Sequence, residues 1–296
     1  MLIRIKKGSY LKKRQKKTII LFLAPIFIFA VLFSYYPFAR IIINSFSKVN
    51  ATGFITGFDG LSNYTYVFSR SDFGRAVTNT LLLTLLNVPV TMILALLFAL
   101  LTEKKSTLGS ISEFLFTLPM AISMSAAALI FKSMFSPDLG IINKVFGINT
   151  RWFQDPKTSL ITVVFLTVWM GIGFNYLLFL YSLRNIPKGV VEAARLDGSR
   201  GLGLIMKIKI PLISQTILYT VITNLILAMT CSAPMIIITQ GGPSRSTTTL
   251  LYMMYSSGLG SSDYGLAAVV SIVCFVLTML LTVIIFFATR KKVFYR

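Results

Sequence analysis

In a chain of 296 residues with no histidine and two cysteines, the side chains best able to do chemistry gather in one short polar block. It reads Glu192-Ala193-Ala194-Arg195-Leu196-Asp197-Gly198-Ser199 and is followed by Ile208-Lys209-Ile210-Pro211. The chemistry it suggests is recognition, with no bond made or broken. Glu192 and Asp197 can accept hydrogen bonds or pair with bases, and the Ala193-Ala194 pair lets another surface approach closely. Pro187 precedes a helical run from Val190 to Leu196, and Asp197-Gly198 ends it, since glycine after a helix end takes the left-handed conformation without penalty. A second helical run from Arg200 leads through Ile208 and Ile210 to Pro211. On pattern alone, this helix-turn-helix reads equally well as an ordinary surface connection between longer elements.

Covalent chemistry finds no support elsewhere. Without histidine, His-based catalysis and His metal sites are excluded, and no G-x-x-x-x-G-K-[ST] cradle for a nucleotide occurs. Cys231 and Cys274 both fall in apolar runs, so neither a disulfide framework nor a metal cluster is indicated. No catalytic residue, metal ligand or cofactor is therefore assigned to this chain. The paired intramembrane carboxylates or lysines of an ion-coupled carrier are also missing. Glu113 and Lys132 fall near the ends of an apolar run, and Asp263 just outside another, as interfacial charges.

The elements that must position the polar block are apolar. Hydrophobic residues make up 55% of the chain and charged ones 13%, against about 25% charged in soluble domains; the mean hydropathy is +0.78. About 20 apolar residues in a row cross the roughly 30 Å of a bilayer core as a helix. Six such blocks occur, roughly 18–38, 77–101, 111–134, 160–183, 212–238 and 266–289, and they predict an all-α integral membrane protein with six transmembrane helices. Pro25, Pro89, Pro119 and Pro234 are tolerated within these blocks and predict kinks. The first block is too long for a signal peptide and lacks a cleavage site, so it reads as an uncleaved helix.

The net charge of +20 is explained by topology and gives no reason to invoke nucleic acid. Lys and Arg concentrate in residues 1–17, in the second and fourth loops and after residue 289, while the outer loops are longer and poorer in them. The positive-inside rule then places both termini in the cytoplasm, as an even number of spans requires. The basic ends, such as Lys12-Lys13-Arg14 and Arg290-Lys291-Lys292, would touch anionic lipid headgroups. The organisation is a basic segment (1–17), one membrane domain (18–289) with a cytoplasmic loop at 186–211, and a basic tail (290–296).

From Glu192 to Pro211 the spacing resembles the EAA loop of permease subunits from bacterial ABC importers. Glu192, Ala193, Ala194, Asp197, Gly198 and Pro211 are the matching positions; Leu202 and Ile205 stand where aromatics are common. Three further stretches resemble the carbohydrate subfamily of maltose and glycerol-phosphate type. They are Phe58-Asp59-Gly60-Leu61-Ser62-Asn63-Tyr64 with Asn79-Thr80, Gly140-Ile141-Ile142-Asn143 with Trp169 and Ile186-Pro187, and Thr239-Gln240-Gly241-Gly242-Pro243 with Thr247-Thr248-Thr249.

This resemblance implies a type I importer permease fold in the bacterial cytoplasmic membrane, with 186–211 docking on an ATPase. It implies as partners a second homologous permease subunit, two copies of an ABC ATPase that bind the ATP, an extracytoplasmic solute-binding protein and a carbohydrate. Carried over from Trp169 and Gly241-Gly242-Pro243, the substrate path falls on Thr167, Gly171, Phe174, Asn224, Ala228 and Cys231, with Asn175 and Tyr176 as further polar candidates. Leu227, Ala228 and Cys231 are more apolar than a sugar site favours, and plain helix packing is the competing reading of these positions. The alternatives are a permease for another solute, such as glycerol phosphate, and a stand-alone secondary carrier.

Overall fold

Long apolar runs without a water partner satisfy their backbone groups internally, and helices are the local solution. The computed structural model describes residues 8–104 and 106–290; the side chains of the basic N-terminal segment (1–17) and the basic tail beyond Arg290 lie outside the described residues. Helix α1 (Thr18–Ser45) carries Pro25 and a π turn at Val31–Tyr35, and its apolar stretch is unburied by the rest of the chain.

The segment after α1 departs from the all-α expectation. Strands β1 (Ser47–Val49) and β2 (Ile55–Phe58) pair antiparallel, with Ser47 opposite Phe58. Asn50 makes the turn, its Oδ1 accepting from Thr52 N at 3.2 Å and Phe54 N at 2.8 Å; asparagine side chains stabilise turns in this way. Helix α2 (Ser62–Ser69) then leads to the 32-residue α3 (Ser71–Thr102).

Two of the expected spans are broken. The block at 111–134 forms α4 (Thr107–Thr117), a 3₁₀ turn at Leu118–Ala121 and α5 (Met124–Met134), with the two arms bent by 100°. Pro119 has no N–H for a helix to use, and Ser123 starts the new helix by accepting from Ala126 N at 3.2 Å. After α6 (Ile141–Phe146), α7 (Ser159–Arg184) is continuous, followed by α8 (Lys188–Leu196).

The block at 212–238 is likewise not one helix. α9 (Gly201–Leu212) meets α10 (Ser214–Met229) at 72°, and helix stops at Met229, ahead of Pro234 and a π turn at Met235–Thr239. The freed carbonyls find partners, since Thr249 Oγ1 donates to Cys231 O at 3.3 Å and Cys274 Sγ to Met229 O at 3.7 Å. The chain closes with α11 (Leu250–Tyr255) and α12 (Tyr264–Thr289). Among the described residues four helices are long and apolar enough to cross a membrane, or up to six if each bent pair counts as one.

The main core lies where α3 packs along α7 and α10. Small residues of α3, Ala95 and Ala99, and large ones of α7, Tyr176, Phe179 and Leu180, are fully buried there. Where lipid is as apolar as the side chains, such close van der Waals fit is what holds helices together.

Candidate functional site

The core opens into a cavity of about 340 Å³ between α3, α7, α10 and the break after α10. Thr167, Gly171, Asn224, Ala228 and Cys231, five of the six positions expected on the substrate path, line it. Phe174 is not among the lining residues and is 43% exposed. Helical spacing does not explain the division, because i+4 and i+7 both fall close to the face of 167; 174 lies about 10 Å further along the helix axis.

The polar side chains at the cavity are paired with one another. Asn87 Nδ2 donates to Thr167 Oγ1 at 2.8 Å, and Thr167 in turn donates to Val163 O and Val164 O. Asn175 and Asn224 form a reciprocal amide pair, at 2.6 Å and 3.1 Å, and each also donates to a carbonyl of its own helix, Gly171 O and Thr220 O. Gly171 makes this approach possible: a Cβ there would stand 3.1 Å from Thr91 Cγ2 and 3.8 Å from Asn224 Oδ1. The arrangement offers amides and hydroxyls to a bound molecule and no charged side chain among the lining residues.

Sequence reasoning missed Asn87, Met124, Met170 and the turn residues Thr230, Ser232 and Ala233. An asparagine in the middle of an apolar run was the available signal for Asn87, because an amide in that setting needs a partner. Tyr176 is fully buried beyond the cavity, with its hydroxyl 2.7 Å from Thr102 Oγ1.

The 186–211 loop lies at one end of α3, α7 and α12. As expected, α8 stops at Leu196 and Gly198 is left-handed, at φ +85°. Gly198 N donates to Arg195 O at 3.1 Å and Ser199 N to Ala194 O at 2.9 Å, closing the helix end. Glu192, Ala193 and Asp197 are exposed together on this element, Ala194 is buried beneath, and Leu196 and Leu202 are 89% and 78% exposed. Pro211 stands apart from Glu192, Ala193, Ala194, Asp197 and Gly198, half-buried at the end of α9 beside the bend.

The roots of the loop are charged. Arg184 Nη1 donates to Glu113 Oε2 at 3.1 Å, Tyr181 hydrogen-bonds the same carboxylate, and Arg184 also caps Thr102 O and Glu103 O at the end of α3. Lys209 pairs with Glu103. Glu113, expected as an interfacial charge, is thus a half-buried ion-pair partner.

At the opposite end the loops are tied to the helices. Asn79 Nδ2 donates to Arg245 O and Thr248 O, both at 2.9 Å, and Leu250 N donates to Thr80 Oγ1 at 2.9 Å. Asn143 holds the third loop through Pro137 O and Thr150 O and accepts from Trp152 Nε1 at 2.7 Å. Arg70 pairs with Asp72 at 2.7 Å, and that hydrogen bond raises the Arg70 guanidinium above its ordinary pKa.

The chain matches the family described as "Binding-protein-dependent transport system inner membrane component" over residues 64–292. The sn-glycerol-3-phosphate transport system permease protein UgpA of Escherichia coli (strain UTI89 / UPEC) is 31% identical over 280 residues, 93% of this chain and 95% of the relative. Its counterpart in Salmonella typhi is 30% identical with the same coverage. A chain in the crystal structure of a bacterial alginate ABC transporter, in complex with an alginate pentasaccharide-bound periplasmic protein, superposes with a TM-score of 0.83 at 19% identity. The match covers 96% of this chain and 98% of that one. A second structure, of a bacterial ABC transporter involved in the import of the acidic polysaccharide alginate, gives 0.84 at 21% identity, covering 96% and 99%. At these identities the two structures establish the shared fold. With apolar helices around a polar cavity, and a family match across most of its length, the chain belongs to the inner membrane components of binding-protein-dependent transport systems, as a permease subunit.

Proposed function

We propose that this chain is one of two homologous permease subunits of an ATP-driven ABC importer for a carbohydrate, and forms half of its translocation path. The cavity carries this reading. Asn87, Thr167 and Asn224 converge on it without a charge, which suits a neutral, hydroxyl-rich solute. Each buried polar group left unpaired costs about 1–3 kcal/mol, so sugar hydroxyls that take over the Asn87–Thr167 and Asn175–Asn224 bonds keep that penalty small. The relatives named for glycerol phosphate and alginate support a polyhydroxylated solute.

In this reading each bent pair crosses once, making six spans, and the Lys and Arg bias sets both termini and the 186–211 loop in the cytoplasm. Glu192, Ala193, Ala194, Asp197 and Gly198 present the docking surface for an ABC ATPase, present in two copies that bind the ATP, and Pro211 sets the bend into α10. An extracytoplasmic binding protein delivers the solute. This subunit holds no cofactor and performs no covalent step. Nucleotide binding shifts the population between inward- and outward-facing states by favouring one docked geometry.

A second reading, a solute with an acidic group, draws on one observation. Lys132 lines a cleft of about 380 Å³ with Ser136, Gln154 and Thr239 at the end opposite the 186–211 loop, where an ammonium could meet a phosphate or uronate.

The test is purification of the tagged chain from its own membranes in mild detergent, followed by reconstitution. A P-loop ATPase and a second permease should co-purify, and uptake of a neutral oligosaccharide should require ATP and the binding protein. Competition by glycerol 3-phosphate or an oligouronate, but not by neutral sugars, would favour the acidic solute. A solitary chain that transports alone would make it a secondary carrier.

A further inference from the structure

The 186–211 loop is nearly free of the body it hangs from. Behind α8 lies a cleft of about 590 Å³, walled by Glu103, Arg184, Ile186, Lys188, Glu192 and Arg195 among others, so α8 does not press its own side chains onto the ends of α3 and α7. Ala194 and Leu204 are buried where α8 meets the start of α9, which joins the two arms of the loop into one piece. Force on that piece therefore reaches the rest of the chain at its two roots.

The roots differ. At the first, Arg184 is the last residue of α7 and holds the C-terminal carbonyls of α3, at 3.3 Å for Thr102 O and 3.2 Å for Glu103 O. With the Tyr176–Thr102 hydroxyl pair this locks α3 to α7, the two helices that bring Asn87 and Thr167 to the cavity. At the second root, Lys209 on α9 reaches across to Glu103, just past the end of α3. α9 continues through the 72° bend into α10, the wall that carries Asn224. Both partners are mostly shielded, with side chains 13% and 22% exposed, so the pair is less weakened by solvent than a surface ion pair.

We infer that the Lys209–Glu103 ion pair is a positioning link that ties the second root of the 186–211 loop to the α3–α7 pair, so that the two walls of the cavity move in register. The inference rests on the reading of this loop as the ATPase docking element. Without the link, the first root still moves α7 with α3 and the second moves α10 through the bend, but nothing holds the two in register, and hydrolysis proceeds without matched opening of the cavity.

The experiment uses the complete complex in proteoliposomes and measures solute taken up per ATP hydrolysed. Lys209→Glu should keep the ATPase bound and lower this ratio about ten-fold, within the range of allosteric coupling energies. Glu103→Lys should do the same, and the double variant Glu103→Lys/Lys209→Glu should restore at least half of the wild-type ratio. Lys207→Glu makes the same charge change two residues away, at an exposed side chain, and should leave the ratio unaltered. A wild-type ratio in Lys209→Glu, failure of the swap to rescue, or an equal loss in Lys207→Glu would each overturn the link, as would loss of the ATPase from Lys209→Glu. If no ATPase purifies with the wild-type chain, the docking reading itself fails, which the wild-type control shows separately.

Discussion

Gly241 and Gly198 both hold left-handed backbones, at φ +76° and +85°, at opposite ends of the same bundle. Their surroundings differ. A Cβ on Gly241 would come within 2.6 Å of Tyr252 Cε1 and 2.7 Å of Thr248 Oγ1, whereas one on Gly198 would meet nothing within 4 Å. At the Gly241 end Asn79 ties the loop to α3, Thr80 ties the start of α11 to α3, and Asn63 donates to Ser45 O and Ser47 O. At the Gly198 end, Leu196 and Leu202 project into open space from an element joined to the body at its roots. One end finishes its contacts within the chain. The other leaves Leu196 and Leu202 exposed, where the proposed function puts an ATPase.

Substitutions at the two ends should separate stability from coupling. Gly241→Val combines a left-handed β-branched residue, costing about 1–2 kcal/mol, with overpacking against Tyr252, about 1–3 kcal/mol more. Thermal unfolding in detergent should show the largest loss of the series, and a midpoint near wild type would break the comparison. Asn63→Ala removes two hydrogen bonds to the backbone at the end of α1 and the start of β1 and should cost about 1–3 kcal/mol in the same assay.

Gly198→Val carries the left-handed strain alone, about 1–2 kcal/mol, with only a small change in midpoint expected. Its uptake per ATP should nevertheless collapse, and normal transport by this variant would count heavily against a coupling role. Leu196→Asp should leave stability within about 0.5 kcal/mol, as exposed substitutions do, yet reduce the ATPase that co-purifies. Full retention of the ATPase would mean that the exposed face serves another purpose.

These contrasts also show how much was legible in the sequence. The end of α8 was, because a helix stop at Asp197-Gly198 depends on the backbone freedom of one glycine and on hydrogen bonds within five residues. The continuous helices α3, α7 and α12 were legible for the same local reason. The breaks at 122–123 and 230–232 were only half signalled, by Pro119 and Pro234, since a proline in a membrane helix can kink or end it depending on which neighbour satisfies the freed carbonyls. Thr249 and Cys274 do so here, from other segments. The ribbon after α1 turned on a single Asn50 side chain within a stretch that otherwise read as loop.

The sequence by itself determined that this chain lives in a membrane, roughly where its apolar runs lie, and that residues 190–196 form a helix ended by Asp197-Gly198. Each of those follows from hydrophobicity, charge asymmetry or backbone geometry acting over a few turns. Only the tertiary structure decided that Asn87 joins Thr167, that Asn175 pairs with Asn224, that Phe174 stays outside the cavity lining and that Lys209 reaches Glu103. Helices apolar on every face carry little periodic signal of which side turns inward, so the rotation of each about its axis is set by packing against partners far away in the chain.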